Sequence, residues 1–520
     1  MSGEPPGTGY WTRDRTHFCR PIPAFGLGLV ADGTAAQASA AGAARIGVCD
    51  SGGDVVVRDG WIFRRSRPLD PSTFADRERA AREFLEGRGW EQQLEEWAEI
   101  RPGLVATCRR AAQVDVGGLT DAQLLDHLEV AAGIRREGVR QHFQHHPMCA
   151  LIGDYVLACR GWGLSDAEAL EPLVGSSPAS AGVATHLERI AVALRAADVR
   201  PDTLDDVSAA SAEAAAALDD YLLEYGCQPV AGYGIDNENL EEMTSVVLAS
   251  IIRVLDGRVE PPRELDATAI RASVPSPERP RFDEMLDAAR SVYGLRDDDG
   301  SFVSTGRGLL RRTLLEAATR FVERGQLLAA SEIFDMTPSE VKDLLAGREA
   351  PSAEEIHDRF EARRLASLEE PPTSYGEPGP PEDLSLLPEH TRRLTVAFRA
   401  YMAMRVRAGD GEELTGVGAG TSVYQGRAVV ANDADDAFER LAPGDVLVAT
   451  MTTTAYNAVL TVCGALVVEE AGPLSHAGVM ARELGLPAVL GVAGAVATIP
   501  DGALVEVDPS RGSVRVLEQR

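Results

Sequence analysis

The chain has 520 residues, a formal net charge of −29, and 44% hydrophobic against 25% charged residues. That length exceeds what one hydrophobic core organises, so two or more domains are expected. The excess of acid argues against nucleic-acid phosphates or an anionic membrane surface as the main partner.

No apolar run reaches the roughly 20 residues of a membrane span, and no signal-peptide pattern opens the chain, so a cytoplasmic location is expected. Cysteines at 19, 49, 108, 149, 159, 227 and 463 never fall in C-x-x-C spacing, which fits reduced thiols and offers no zinc cluster. The single lysine, Lys342, lies in "TPSEVKDLL", and no G-x-x-x-x-G-K-[ST] loop exists. A P-loop in this chain is therefore not what binds ATP.

Residues 1–70 mix aromatics, Pro and Gly with short apolar runs such as "DVVVRDGWIFRR". They read as an irregular opening segment with a few strands, including a hairpin. From 71 to 364 the pattern turns helical. Capping boxes recur at Thr120/Gln123, Ser165/Glu168 and Thr337/Glu340, where a side-chain oxygen takes an orphan N–H and the residue three later reaches back. "AQLLDHLEVAAGIRREGVRQHFQHH" and "GLLRRTLLEAATRFVERGQLLAASEIF" carry apolar faces of period 3.6. The first ends in His142, His145 and His146, whose i, i+3, i+4 spacing can gather two imidazoles on one face. A helix C-terminus also favours cationic His through its dipole, so pocket lining and plain capping both stay open. No carboxylate-bearing metal motif accompanies them, and no metal site is expected. Arg290, Arg296, Arg311 and Arg312 can clamp phosphate bidentately or simply make surface salt bridges. "RDDDG" (296–300) reads as a solvated turn.

Residues 365–414 hold prolines at 371, 372, 378, 380, 381 and 388 followed by a helix at 391–406, an extended linker with a hinge helix. Residues 415–520 change character again. "GRAVVA", "GDVLVAT", "GALVVEE" and "ALVEVD" are short β-branched runs alternating with helical stretches, the pattern of a small α/β domain. Within it Ser475 is a natural N-cap and Gly485 a natural helix stop, so His476 falls in a first helical turn. There the positive dipole end favours an anion. Taken alone, the imidazole can either attack a phosphoryl group or merely hydrogen-bond at a βα turn.

The run "GPLSHAGVMARELGLPAVLG" (472–491) resembles, without a gap, the signature of the phosphohistidine (swivelling) domain of PEP-utilising enzymes. That group holds pyruvate phosphate dikinase, PEP synthase and rifampin phosphotransferase. The resemblance implies that His476 accepts phosphate and that Gly472, Ser475, Ala477, Arg482 and Thr452 form its loop. Pro473 and Gly478 stand where the signature has Gly and Ala, and a proline common near Thr452 is lost. The helical part is similar to the acceptor domain of the rifampin phosphotransferase group, through "YWTRDRTHFCRPIP", "EYGCQPVAGYGIDNENLEEM" and the 282–341 stretch. Gln228 stands where arginine is frequent. This second resemblance makes Trp11, Asp14 and His17 pocket candidates, beside His142, His145, His146, Arg290, Arg296 and Arg311 already raised by their spacing and chemistry. The expected fold is thus a mainly α-helical acceptor-binding domain followed by a small α/β swivelling domain. Neither the family's ATP-grasp module nor its PEP-binding barrel has a counterpart in these residues, so ATP and Mg2+ are expected to act through a separate ATP-grasp partner. Phosphate would pass from that partner to His476 and on to a hydroxyl of a small-molecule acceptor, with dehydration or other tailoring as a variant. The alternative is a non-catalytic acceptor-binding or regulatory homologue with a vestigial phosphohistidine domain.

Overall fold

A computed structural model describes residues 7–14, 18, 20–49, 53–176, 178–229, 233–256, 267–368, 371–405, 414–420, 422–431, 436–437, 440–452 and 456–518. His17 lies outside them, and of Arg296 only the backbone is described. The expected hairpin is present as β2 (Gly53–Arg58) and β3 (Trp61–Ser66), paired antiparallel with Arg58 opposite Trp61. Asp59 and Gly60 link them with φ of 50° and 82°, the left-handed pair that a two-residue hairpin turn needs. β1 (Trp11–Arg13) and β4 (Ser374–Tyr375) complete a sheet of order β2-β3-β1-β4.

Two departures from the sequence reading stand out here. The opening segment also contains helices Ala24–Val30 and Thr34–Ile46. The second is rich in Ala, which favours helix strongly yet is too small to mark a clear apolar period. The proline-rich stretch, in turn, is no free tether. It supplies β4, Pro371 accepts a bond from the Arg13 guanidinium at 3.0 Å, and Glu382 accepts the Leu69 amide at 3.1 Å. Prolines lack donors, but their carbonyls and neighbouring residues still satisfy an edge strand.

The capping boxes at Thr120 and Thr337 form reciprocally, and Ser165 and Glu168 exchange the same bonds. Helices Asp121–His145 and Leu295–Glu323 pack closely at the centre of the helical domain. Glycines permit the approach: a Cβ on Gly138 would lie 2.6 Å from the Val303 nitrogen, and one on Gly306 would lie 2.4 Å from that of Arg135. "RDDDG" is not a solvated turn. It opens the Leu295–Glu323 helix, where acids suit the positive dipole end, and Asp299 has no exposed surface.

Helix Glu389–Arg405 buries Leu394, Ala397, Phe398, Tyr401 and Met404 in the same core. It therefore belongs to the helical domain rather than to a loose linker. A smaller lobe, Pro178–Ala197, Ala212–Tyr225 and Thr244–Leu255, has its own core around Ile190, Leu218 and Ile251.

In the C-terminal domain β6 (Tyr424–Ala431), β7 (Val446–Ala449), β8 (Ala465–Val468) and β9 (Ala488–Leu490) run parallel. Antiparallel β5 (Val417–Ala419) flanks one edge, and β10 (Leu504–Asp508) with β11 (Ser513–Glu518) the other. Every residue of β7 and β8 is buried, as expected for parallel strands covered on both faces. Helix Asn457–Val462 joins β7 to β8, and helix His476–Glu483 joins β8 to β9.

Candidate functional site

His476 opens its helix beyond the carboxyl end of β8, where open α/β sheets gather ligands. Thr452 follows the adjacent strand β7 at the same end, with Oγ1 3.4 Å from His476 Nδ1. Ser475 caps the helix by accepting the Gly478 amide at 3.1 Å. Ala477 is fully buried in the domain core. Arg482 reaches back to donate to the Pro473 carbonyl at 2.5 Å, pinning the loop before the histidine.

Pro473 and Gly478 prove to be neighbours. A Cβ on Gly478 would lie 2.6 Å from the Pro473 carbonyl oxygen and 2.8 Å from that of Gly472. The two departures from the signature thus occupy one tight place.

The loop is held against the helical domain. Leu474 donates its amide to Met404 at 3.0 Å, and a Cβ on Gly472 would meet that same oxygen at 2.0 Å. Leu474 and Val479 pack into the helical core, and Arg253 of the smaller lobe bonds the Cys463 carbonyl.

Between the two domains lies a cavity of about 860 Å³, within the range that holds a small organic molecule. His476, Thr452 and Ser475 line it from one side. His142, His146, Gln228 and apolar groups such as Phe143, Phe398 and Met402 line it from the other. Gln228 is fixed by its donation to Thr305 Oγ1 at 3.2 Å.

Of the pocket residues named from the sequence, His142 and His146 face this cavity, and five others do not. Trp11 is buried beside Trp61 and Phe63 beneath the Arg65 guanidinium. Asp14 is buried and grips Arg64 at 2.7 Å, so it is Arg64 that reaches the cavity. His145 packs edge-on against Trp97 with ring centroids 5.6 Å apart. Arg290 donates to the Pro172 carbonyl at 2.9 Å. Arg311 is spent on Glu242 at 2.7 Å and lies over Phe334. Arg312, also singled out, donates to the carbonyls of Ala111 and Ala112, ending a helix.

The cavity cations are others. Arg101 pairs with Asp298 at 2.7 Å, a bond that holds its pKa above the usual value. Arg109 pairs with Glu224 at 3.1 Å, and Arg399 pairs with Glu382. Arg135 and Arg307 instead bond neutral oxygens, those of Leu29 for the first and of Gly234, Asn237 and Asn239 for the second. Burial lowers the pKa of both, and with Arg311 nearby it brings Arg307 to about 9, still charged at neutral pH.

Asp299 is the group that sequence reasoning missed. Its carboxylate accepts from His142 Nδ1 at 2.7 Å and from His145 Nδ1 at 2.9 Å. The available signal was the four-residue spacing of Asp299, Val303, Arg307 and Arg311, one stripe along an unbroken helix. Among the described residues no group of three or more His, Cys, Asp or Glu is placed to hold a metal.

Residues 441–512 match the family described as "PEP-utilising enzyme, mobile domain". The C-terminal domain is a PEP-utilising enzyme mobile domain. The chain is similar to rifampicin phosphotransferase of Streptomyces sviceus, at 28% identity over 352 residues, covering 61% of this chain and 36% of that protein. An uncharacterised protein of Mycobacterium tuberculosis is 33% identical over 217 residues, 40% of this chain and 22% of its own length. Phosphoenolpyruvate synthase of Aeropyrum pernix is 42% identical over 106 residues, 20% of this chain and 13% of that enzyme. The chain thus spans about a fifth to a third of the first two relatives. The mobile domain and these relatives make the chain similar to enzymes of the PEP-utilising type.

Proposed function

We propose that this chain carries a phosphoryl group on His476 and delivers it to a hydroxyl of a small molecule held in the cavity between the helical and mobile domains. The observation that supports this best is that His476 opens onto the same cavity as His142 and His146 of the helical domain. Nδ1 of His476 faces Thr452 Oγ1 at 3.4 Å, and phosphorus is assigned to Nε2. With Nδ1 protonated and donating to Thr452, the ring leaves as neutral imidazole when the P–N bond breaks, a better leaving group than an imidazolate. Among the described residues, Arg135 and Arg307 line the cavity and bond neutral oxygens rather than carboxylates, and they are assigned to stabilise the transferring phosphoryl. Loading is assigned to a separate ATP-grasp protein, with ATP and Mg2+ acting there.

The experiment mixes this protein with ATP, Mg2+ and a candidate ATP-grasp protein and follows acid-labile phosphate on the chain. The reading expects phosphate in the wild type and none in His476→Ala. Equal labelling of the two sinks it.

A further inference from the structure

We infer that His142 is the general base that takes the proton of the acceptor hydroxyl, and that Asp299 is the positioning residue that holds it in the working tautomer. This rests on reading His476 as the phosphoryl donor. Asp299 is fully buried and accepts from Nδ1 of both His142 and His145. A carboxylate can only accept, so in each neutral ring Nδ1 carries the proton and Nε2 the lone pair. The two histidines then part company. His145 is 5% exposed and packed against Trp97, whereas the His142 side chain is 24% exposed and lines the cavity that His476 also lines. A histidine oriented by a buried carboxylate, with its other nitrogen available to the reacting group, is the arrangement that activates hydroxyl nucleophiles in unrelated folds.

The surroundings favour this assignment. Gly300, next to Asp299, lies beside the ring, where a Cβ would make ordinary contact with His142 Nδ1 at 3.5 Å. The neighbouring Asp298 is committed to Arg101 and to the Trp97 indole at 2.8 Å, which leaves Asp299 to the histidines. Two carboxylates that line the cavity, Asp298 and Glu224, are engaged by Arg101 and Arg109. Among the described residues, the titratable groups placed against His142 include Asp299, which also bonds His145, and His146, with ring centroids 6.0 Å away.

The step balances as follows. The acceptor O–H gives its proton to His142 Nε2, and the oxygen forms a bond to phosphorus. The P–N bond to His476 Nε2 breaks and its electron pair stays on that nitrogen. His142 becomes imidazolium facing the Asp299 carboxylate and later returns the proton to water.

The test uses the full chain, charged chemically at His476 with phosphoramidate and quantified by mass spectrometry of the His476 peptide. Benzyl alcohol is the hydroxyl probe, and benzyl phosphate formed per phosphorylated chain is the readout between about pH 6 and about pH 9. In the wild type the rate should rise with pH through one titration and level off. His142→Gln should be slower by about 100-fold or more and lose that titration. Asp299→Asn, whose amide can donate to Nδ1 and leave the proton on Nε2, should also be slow while melting near the wild-type temperature. Transfer by His142→Gln within about threefold of wild type, or slowed transfer that keeps the wild-type pH profile, overturns the assignment. A wild-type chain that takes no phosphate on His476 overturns the carrier reading, and this one with it.

Discussion

Replacing Gly472 by Ala sets a methyl group 2.0 Å from the Met404 carbonyl oxygen, about 1.5 Å inside an ordinary contact distance of about 3.5 Å. Both partners are backbone, and Met404 is anchored by a helix buried in the helical core, so the loop is the part that retreats. Its retreat breaks the bond from the Leu474 amide to Met404 at 3.0 Å. An amide left without its partner costs about 1–3 kcal/mol, and residual overpacking adds about 1–3 kcal/mol. A net loss of about 2–6 kcal/mol from the docked state corresponds to opening that is about 30- to 25,000-fold more frequent. Amide hydrogen exchange of the peptide containing Leu474, followed by mass spectrometry, reads that change directly. The strands of the mobile domain, remote from the contact, should keep their protection. If exchange at Leu474 in Gly472→Ala stays within about threefold of wild type, the mobile-domain loop is not held by this contact and the reasoning fails.

Thr452→Val removes the hydroxyl beside His476 Nδ1. It should lower phosphate uptake from phosphoramidate by about 2- to 10-fold, the worth of one modest hydrogen bond, and an unchanged rate would dismiss the contact. Gly478→Ala drives a methyl against the Pro473 and Gly472 carbonyls and should destabilise the mobile domain by about 1–3 kcal/mol in urea. Adding Pro473→Gly should recover part of that loss, whereas strict additivity of the two would deny the coupling. Bonding to Glu332 raises the pKa of His357 above its ordinary value near 6.5. The raised folded value means that the pair's stabilisation is complete below the ordinary pKa and fades as pH climbs through the folded one. The melting temperature of wild type should therefore exceed that of His357→Asn most at about pH 5.5 and least at about pH 9. A gap that widens with pH would contradict the pairing.

The sequence by itself determined whatever is encoded in neighbouring residues. The caps at Thr120 and Thr337 are local chemistry, because donor and acceptor lie three residues apart. The run from Gly472 to Gly491 lays out loop, histidine, helix and stop in one contiguous stretch, which is why the mobile domain was legible down to the place of His476 at a helix start. What the tertiary structure decided is which polar side chains face the cavity. Arg311 and Arg307 are one helical turn apart, yet only Arg307 reaches the cavity, because Glu242 arrives from another part of the chain to take Arg311. Asp299 looked like solvent-facing acid in an "RDDDG" run until helix Asp121–His145 was packed over it and supplied two imidazoles. Likewise the prolines of residues 371–388 suggested a tether, and only the edge of β1 gave their segment something to pair with. Burial and ion pairing are sums over groups brought from hundreds of residues away, and short-range sequence pattern carries no record of that sum.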